Sequence, residues 1–288
     1  MVDFFITPFI SNSFMLRALA AGVLVSIACA MIGTFVVLRG LAFIGDALAH
    51  GVLPGIAIAL LINAPAMLGA AVGALVMIAG ISLITTRSRL TSDTAIGLLF
   101  VGMLALGVVI VSRSNSFSGD LVRVLFGEIL GISAQSILIQ LAATVFVLIT
   151  TLVCIRPFLM LSFNAEQAQV AGFSYRIYHN IMLLLIAITI IVSFQTVGTL
   201  LVFGMLLAPA SASALFTRRI QGMMLWSAII GAISVYVGLL ASYHLNIASG
   251  AAIVLVSTLI FFLVFTFKNL RRAAPLASVL QERINHEH

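Results

Sequence analysis

Asp46 and His50 stand four residues apart in the run Gly45-Asp46-Ala47-Leu48-Ala49-His50-Gly51-Val52-Leu53-Pro54-Gly55, at the start of a segment that stays apolar to Ile62. Four residues on an α-helix advance about 6 Å and rotate about 400°, so the two side chains share one face. An ionisable group near the centre of a bilayer costs roughly 2.5–3.5 kcal/mol on insertion scales. Two on one face imply a pathway, a bound ion or an internal pair. Carboxylate and imidazole are the donors that borderline divalent cations accept. One of each is too few to hold a metal well. A symmetric dimer doubles the set, and two Asp with two His suit Mn²⁺, Fe²⁺ or Zn²⁺ rather than Cu⁺, which wants sulfur. Pro54 removes a backbone donor and disturbs the helix one turn earlier, near His50. Freed carbonyls beside a cavity are a recurring feature of membrane ion sites.

The elements that position this pair are membrane spans. Of 288 residues, 62% are hydrophobic and only 8% charged, whereas soluble domains carry about 25% charged residues. The apolar runs have helical length, which disfavours a β-barrel. The expected fold is all-α, a single domain over residues 1–288. Nine stretches are long enough to cross: 14–38, 43–63, 65–86, 93–112, 134–155, 177–194, 196–216, 222–243 and 247–268, with eight to ten as the range. The piece 119–132 is too short and reads as a half-helix or re-entrant segment. The first 13 residues lack the order of a signal peptide and read as an interfacial segment.

The net charge of +6 does not point to nucleic acid, because the cations lie at the ends of apolar runs. Arg39, Arg87, Arg89, Arg156, Arg176, Arg218, Arg219, Lys268, Arg271 and Arg272 fall on one side, and only Arg17, Arg113 and Arg123 on the other. The first group marks the cytoplasm, which gives a cytoplasmic C-terminus and, with nine spans, an external N-terminus. From the cytoplasmic end near Leu41, His50 lies about 13 Å deep, close to the midplane of a ~30 Å core.

The longest polar interruption is 156–176. Asn164 reads as an N-cap, Glu166 as an acidic first-turn residue and Gly172 as a stop, giving a short cytoplasmic helix that suits docking of another protein. Gly69-Ala70-Ala71-Val72-Gly73 is a small-residue pattern for close helix packing within the subunit. Glu128 and Asp120 are candidates to line a vestibule, and His244 to capture an ion at the external mouth. His179, by the cytoplasmic loop, reads as structural, Gln195 and Thr196 as a tight turn, and Cys29 and Cys154 as small hydrophobes. The tail 271–288 is polar and expected to fray. No phosphate-binding loop is present, and the one lysine, Lys268, lies between Phe267 and Asn269. No HExxH pair marks a metalloprotease.

The run Val37-Leu38-Arg39-Gly40-Leu41-Ala42-Phe43-Ile44-Gly45-Asp46-Ala47-Leu48-Ala49-His50-Gly51-Val52-Leu53-Pro54-Gly55 resembles a signature of the permease subunits of ABC-type importers for manganese, zinc and iron. Ala42 and Ala49 replace usual serines and Gly51 a usual alanine. Asp93-Thr94-Ala95-Ile96-Gly97, Leu125-Phe126-Gly127, Gln195-Thr196-Val197-Gly198 with Ala208-Pro209-Ala210, and Ser249-Gly250 with Ile253-Val254-Leu255 are similar to further blocks of that family, in order. The resemblance implies a type II importer fold in the inner or plasma membrane. It implies a second permease subunit, two cytoplasmic ATPase subunits and an extracytoplasmic metal-binding protein. Asp46 and His50 become transit ligands for a metal that is cargo, with no permanent cofactor. Glu166, Gln167, Ala168 and Gly172 fall where such permeases dock their ATPase, and no ATP hydrolysis is expected on this chain. The alternative from another class is a proton- or sodium-coupled secondary metal transporter with Asp46 and His50 as its relay. A membrane-embedded enzyme is a third, without a visible nucleophile and base.

Overall fold

A computed structural model describes residues 8–9, 12–88, 90–112 and 132–286 of the chain. Every element among them is a helix. In chain order these are α1 (Ser13–Leu38), α2 (Phe43–Gly51), α3 (Leu53–Leu61), α4 (Ala66–Arg87), α5 (Ser92–Ser112), α6 (Ala134–Val153), α7 (Ile155–Phe163), α8 (Ala165–Val170), α9 (Tyr175–Val197), α10 (Thr199–Phe216), α11 (Ile220–Leu245) and α12 (Ser249–His286). In hydrocarbon every backbone polar group must be satisfied within its own segment, and continuous helices achieve this.

Each of the nine expected spans coincides with a helix or a helix pair, though not all of them are long enough to count as spans by themselves. α2 and α3 together form the second. Among the described residues, eight segments are long and apolar enough to cross a bilayer. The ninth, α10, has 18 residues, about 27 Å at 1.5 Å per residue, close to the ~30 Å hydrocarbon core.

Burial sorts these helices into a centre and a periphery. α1 is buried over most of its length and packs on α6, α9, α10 and α11. Its buried face is built from small residues such as Ala18, Ala21, Ala28 and Cys29, which let neighbours come close. α9 is the second hub, against α1, α2, α4, α6 and α10. α5, α6 and α12 expose most of their apolar surface, as helices facing lipid or a partner do.

The second span is broken where Pro54 foretold. α2 ends at Gly51, Val52 intervenes, and Pro54 occupies the first turn of α3, where its missing N–H is tolerated. α3 then packs closely against α4, backbone to backbone. A Cβ on Gly55 would lie 2.1 Å from the Gly69 carbonyl oxygen, and one on Gly69 would lie 2.2 Å from the Gly55 carbonyl oxygen. The Gly69–Gly73 pattern therefore does pack inside the subunit, with Gly55 as its counterpart.

Three boundaries differ from expectation. The 156–176 interruption carries two helices, because Pro157 falls in the first turn of α7, where proline is compatible, and Phe158 and Leu161 bury against the core. The turn expected at Gln195–Thr196 falls at Gly198, whose φ of +82° suits glycine. The tail does not fray at residue 271: α12 continues through it to His286. The re-entrant piece, with Asp120 and Glu128, lies outside the described residues apart from Ile132, which is buried.

Candidate metal centre

α2 presents Asp46 in its first turn and His50 in its last. His50 Nδ1 lies 3.1 Å from the Asp46 carbonyl oxygen and 3.2 Å from Asp46 Oδ1. Both atoms accept, so Nδ1 carries a proton and donates to them. The bond fixes the ring and leaves Nε2 as the nitrogen with a lone pair to offer, the arrangement that orients histidine ligands in metal sites. The His50 ring meets Phe100 of α5 edge-on, with centroids 5.8 Å apart.

The two side chains are half-open, His50 27% and Asp46 36% exposed. They face out of the core rather than into it, so their chemistry is accessible. Among the described residues no third His, Cys, Asp or Glu joins them. One subunit therefore offers an imidazole nitrogen and a carboxylate, a half-set for a metal with four or more ligands.

The departures from the signature have structural counterparts. A Cβ on Gly51 would lie 2.2 Å from Met77 Sδ in α4, so the glycine and the methionine fit each other. Ala49 is buried, so a hydroxyl there would face packed helices rather than the open side of α2. The other candidates stand apart from the pair. His244 ends α11, its ring 5.3 Å from that of Tyr243, and α11 packs on α1, α10 and α12. Cys29 and Cys154 are free thiols, Cys29 buried, as expected of small hydrophobes.

The second feature is the loop helix α8. Asn164 Oδ1 accepts from the N–H groups of Glu166 at 3.0 Å and Gln167 at 3.1 Å, the N-cap foreseen from sequence. At the other end Gly172, φ +86°, donates to Gln169 O and Phe173 donates to Ala168 O, which closes the helix in a Schellman turn. Glu166, Gln167 and Gly172 are exposed. Ala168 is not available for docking as expected: it is fully buried and anchors the helix instead. Two apolar residues missed by sequence reading take its place at the surface, Val170, 91% exposed, and Phe163, 75% exposed.

A third group was not foreseen. Arg39, at the end of α1, donates from Nη1 to His179 Nδ1 at 3.2 Å and lies 5.7 Å from the centre of the Tyr175 ring. Tyr175 stacks on His179, with centroids 5.3 Å apart. Burial lowers the Arg39 pKa below its ordinary value, with Tyr175 acting in the opposite sense. These residues lie 140 positions apart, and no local pattern links them.

Comparison with known proteins accounts for this architecture. The family model described as the ABC 3 transport family matches residues 11–268. The manganese transport system membrane protein MntC of Halalkalibacterium halodurans is 37% identical over 266 residues, covering 92% of this chain and 91% of its own. A probable iron transport system membrane protein of Haemophilus influenzae is 36% identical over 273 residues, covering 94% and 99%. Among solved structures, PsaBC from Streptococcus pneumoniae in complex with Fab superposes with a TM-score of 0.81 at 31% identity, covering 92% of this chain and 95% of that one. A match over nearly the whole chain, in sequence and in fold, makes this protein a member of the ABC 3 transport family.

Proposed function

We propose that this chain is the membrane-spanning permease subunit of an ATP-driven importer for divalent transition-metal ions, with Mn²⁺, Fe²⁺ and Zn²⁺ as the candidate cargo. The observation that carries the reading is the half-open Asp46–His50 pair on a broken span, with Nδ1 of His50 committed and Nε2 available. The names of the relatives support manganese and iron.

Two such chains supply the full ligand set: two carboxylates and two imidazoles suit a borderline cation. The ion arrives from an extracytoplasmic binding protein, passes the paired sites near the dimer axis and leaves toward the cytoplasm, where the C-terminus lies. A site of half-sets holds its ion only while the halves are close, which fits a pathway that must release what it binds. ATP hydrolysis belongs to cytoplasmic partner subunits that dock on α8 through Glu166, Gln167, Gly172 and the exposed Val170. His244 and Glu128 are assigned lesser roles along the external approach.

The test is uptake of radiolabelled Mn²⁺ and Zn²⁺ into vesicles holding the reconstituted complex, with and without ATP, for wild type, Asp46→Ala and His50→Ala. Expected is ATP-dependent uptake in wild type and its loss in both variants, with assembly intact. Uptake driven by an ion gradient without ATP would transfer the chain to the secondary-transporter class. Full ATP-driven uptake by the variants would keep the importer and discard the site.

A further inference from the structure

Arg39 occupies a joint between the loop helix and the helix that carries Asp46 and His50. On one side, Phe173 N–H donates to Ala168 O, so the end of α8 leads directly into Tyr175 and His179 in the first turns of α9. On the other side, Arg39 is followed by Gly40, φ +65°, which turns the chain into α2 and so to Asp46. Arg39 bridges the two by donating to His179 Nδ1 and lying against the Tyr175 ring.

The chemistry of this bridge is that of a contact made to be remade. Arginine keeps its charge and is always the donor, so His179 Nδ1 must accept and the ring proton sits on Nε2. That buried Nε2–H meets no acceptor among the described residues. Arg39 makes no ion pair among the described residues either. Its partners are an imidazole, an aromatic face and the Met182 sulfur at 3.6 Å. These contacts are directional, and none of them neutralises the charge. A cavity of about 360 Å³ adjoins the joint, bounded by Gly40 and Leu41 of the turn, Ser92 and Asp93 at the start of α5, and Tyr175 and His179. The guanidinium has room to change partners, with the Asp93 carboxylate on the same wall as an alternative.

We propose that Arg39 is a positioning residue for transport, the link through which displacement of the loop helix, delivered by the ATPase, is passed through Tyr175 and His179 to the Gly40 turn and the Asp46–His50 helix. The inference rests on the permease reading above. It makes Arg39 a part of the energy coupling rather than of the ion site. Removing it should therefore separate ATP hydrolysis from uptake.

The experiment compares wild type, Arg39→Ala and Tyr175→Leu in the reconstituted full complex, reading ATP hydrolysis, ATP-driven Mn²⁺ uptake and the KM for Mn²⁺. Expected for Arg39→Ala is a fall in maximal uptake of about tenfold or more, within the range of energetic coupling between sites. The KM should be unchanged and ATP hydrolysis should persist within about twofold, so the ratio of ions moved to ATP consumed drops. Tyr175→Leu keeps the arginine but removes its aromatic support, and should lower the same ratio to a lesser degree. It carries the test alone where Arg39→Ala does not assemble. Uptake and hydrolysis falling in proportion, a raised KM, or an unchanged ratio would each overturn the inference. Absence of ATP-driven uptake in wild type would instead remove the importer reading.

Discussion

Gly55→Ala puts the packing of the broken span to a quantitative test. The added Cβ would lie 2.1 Å from the Gly69 carbonyl oxygen and 3.0 Å from the Gly73 nitrogen, where ordinary contact begins at 3.4 Å. From 2.1 to 3.4 Å the shortfall is 1.3 Å, and the obstacle is backbone, which no rotamer change relieves. Either α3 or α4 must move. Overpacking costs about 1–3 kcal/mol, and this site belongs at the upper end. Replacing a helical glycine by alanine returns up to about 1 kcal/mol. A net loss of about 1–2 kcal/mol corresponds to a fall in Tm of roughly 2–8 °C. The control is Gly97→Ala in α5, where nothing lies within 4 Å of the new Cβ and Tm should stay level or rise. Thermal melts of the detergent-solubilised protein, followed by size-exclusion fluorescence, read both. Gly69→Ala should match Gly55→Ala, because its Cβ meets the Gly55 oxygen at 2.2 Å. The double variant should cost less than the two singles together, since helices already parted by one methyl accept the second. Equal shifts at Gly55 and Gly97, or strict additivity of the Gly55 and Gly69 variants, would refute the interlocked seam.

Two further perturbations address the site and the loop. Pro54→Ala restores a backbone donor one turn after His50 and removes the break at Val52; Mn²⁺ uptake by the complex should fall severalfold while Tm holds or rises. Asn164→Ala removes the two cap bonds to Glu166 and Gln167 N–H, costing about 1 kcal/mol of helix stability; with only six residues in α8, co-purification of the ATPase should weaken, and an unchanged yield would show that the loop is not its dock.

What could be read from the sequence was local. The Asp46–His50 face follows from helical spacing, the break from Pro54, and both ends of α8 from Asn164 and Gly172, because each depends on neighbours within one or two turns. The small-residue pattern at Gly69 was legible, but its counterpart Gly55 was not, since packing chooses its partner in three dimensions. The inward turn of Ala168 was equally hidden: a single buried residue on a two-turn helix leaves no periodicity. The Arg39–Tyr175–His179 cluster joins the ends of two helices far apart in the chain, and nothing near either end announces the other. His179 read as structural, beside the loop; its place in α9 as the acceptor for Arg39 was not visible.

The glycine seam also limits how the ion-bearing span can move. With the Gly55 and Gly69 carbonyls each seated in the other helix's missing side chain, sliding α3 along α4 by one residue would drive an oxygen into a methyl or a larger group. Translation along the seam is thus opposed by backbone on both helices. The Gly40 turn and the Val52 break flank Asp46 and His50 on either side, and Val52 itself is packed against Gly73 in the same seam. Asp46 and His50 therefore sit on a short helix whose far end is held by the same seam, so a displacement of α4 would carry to the carboxylate and imidazole.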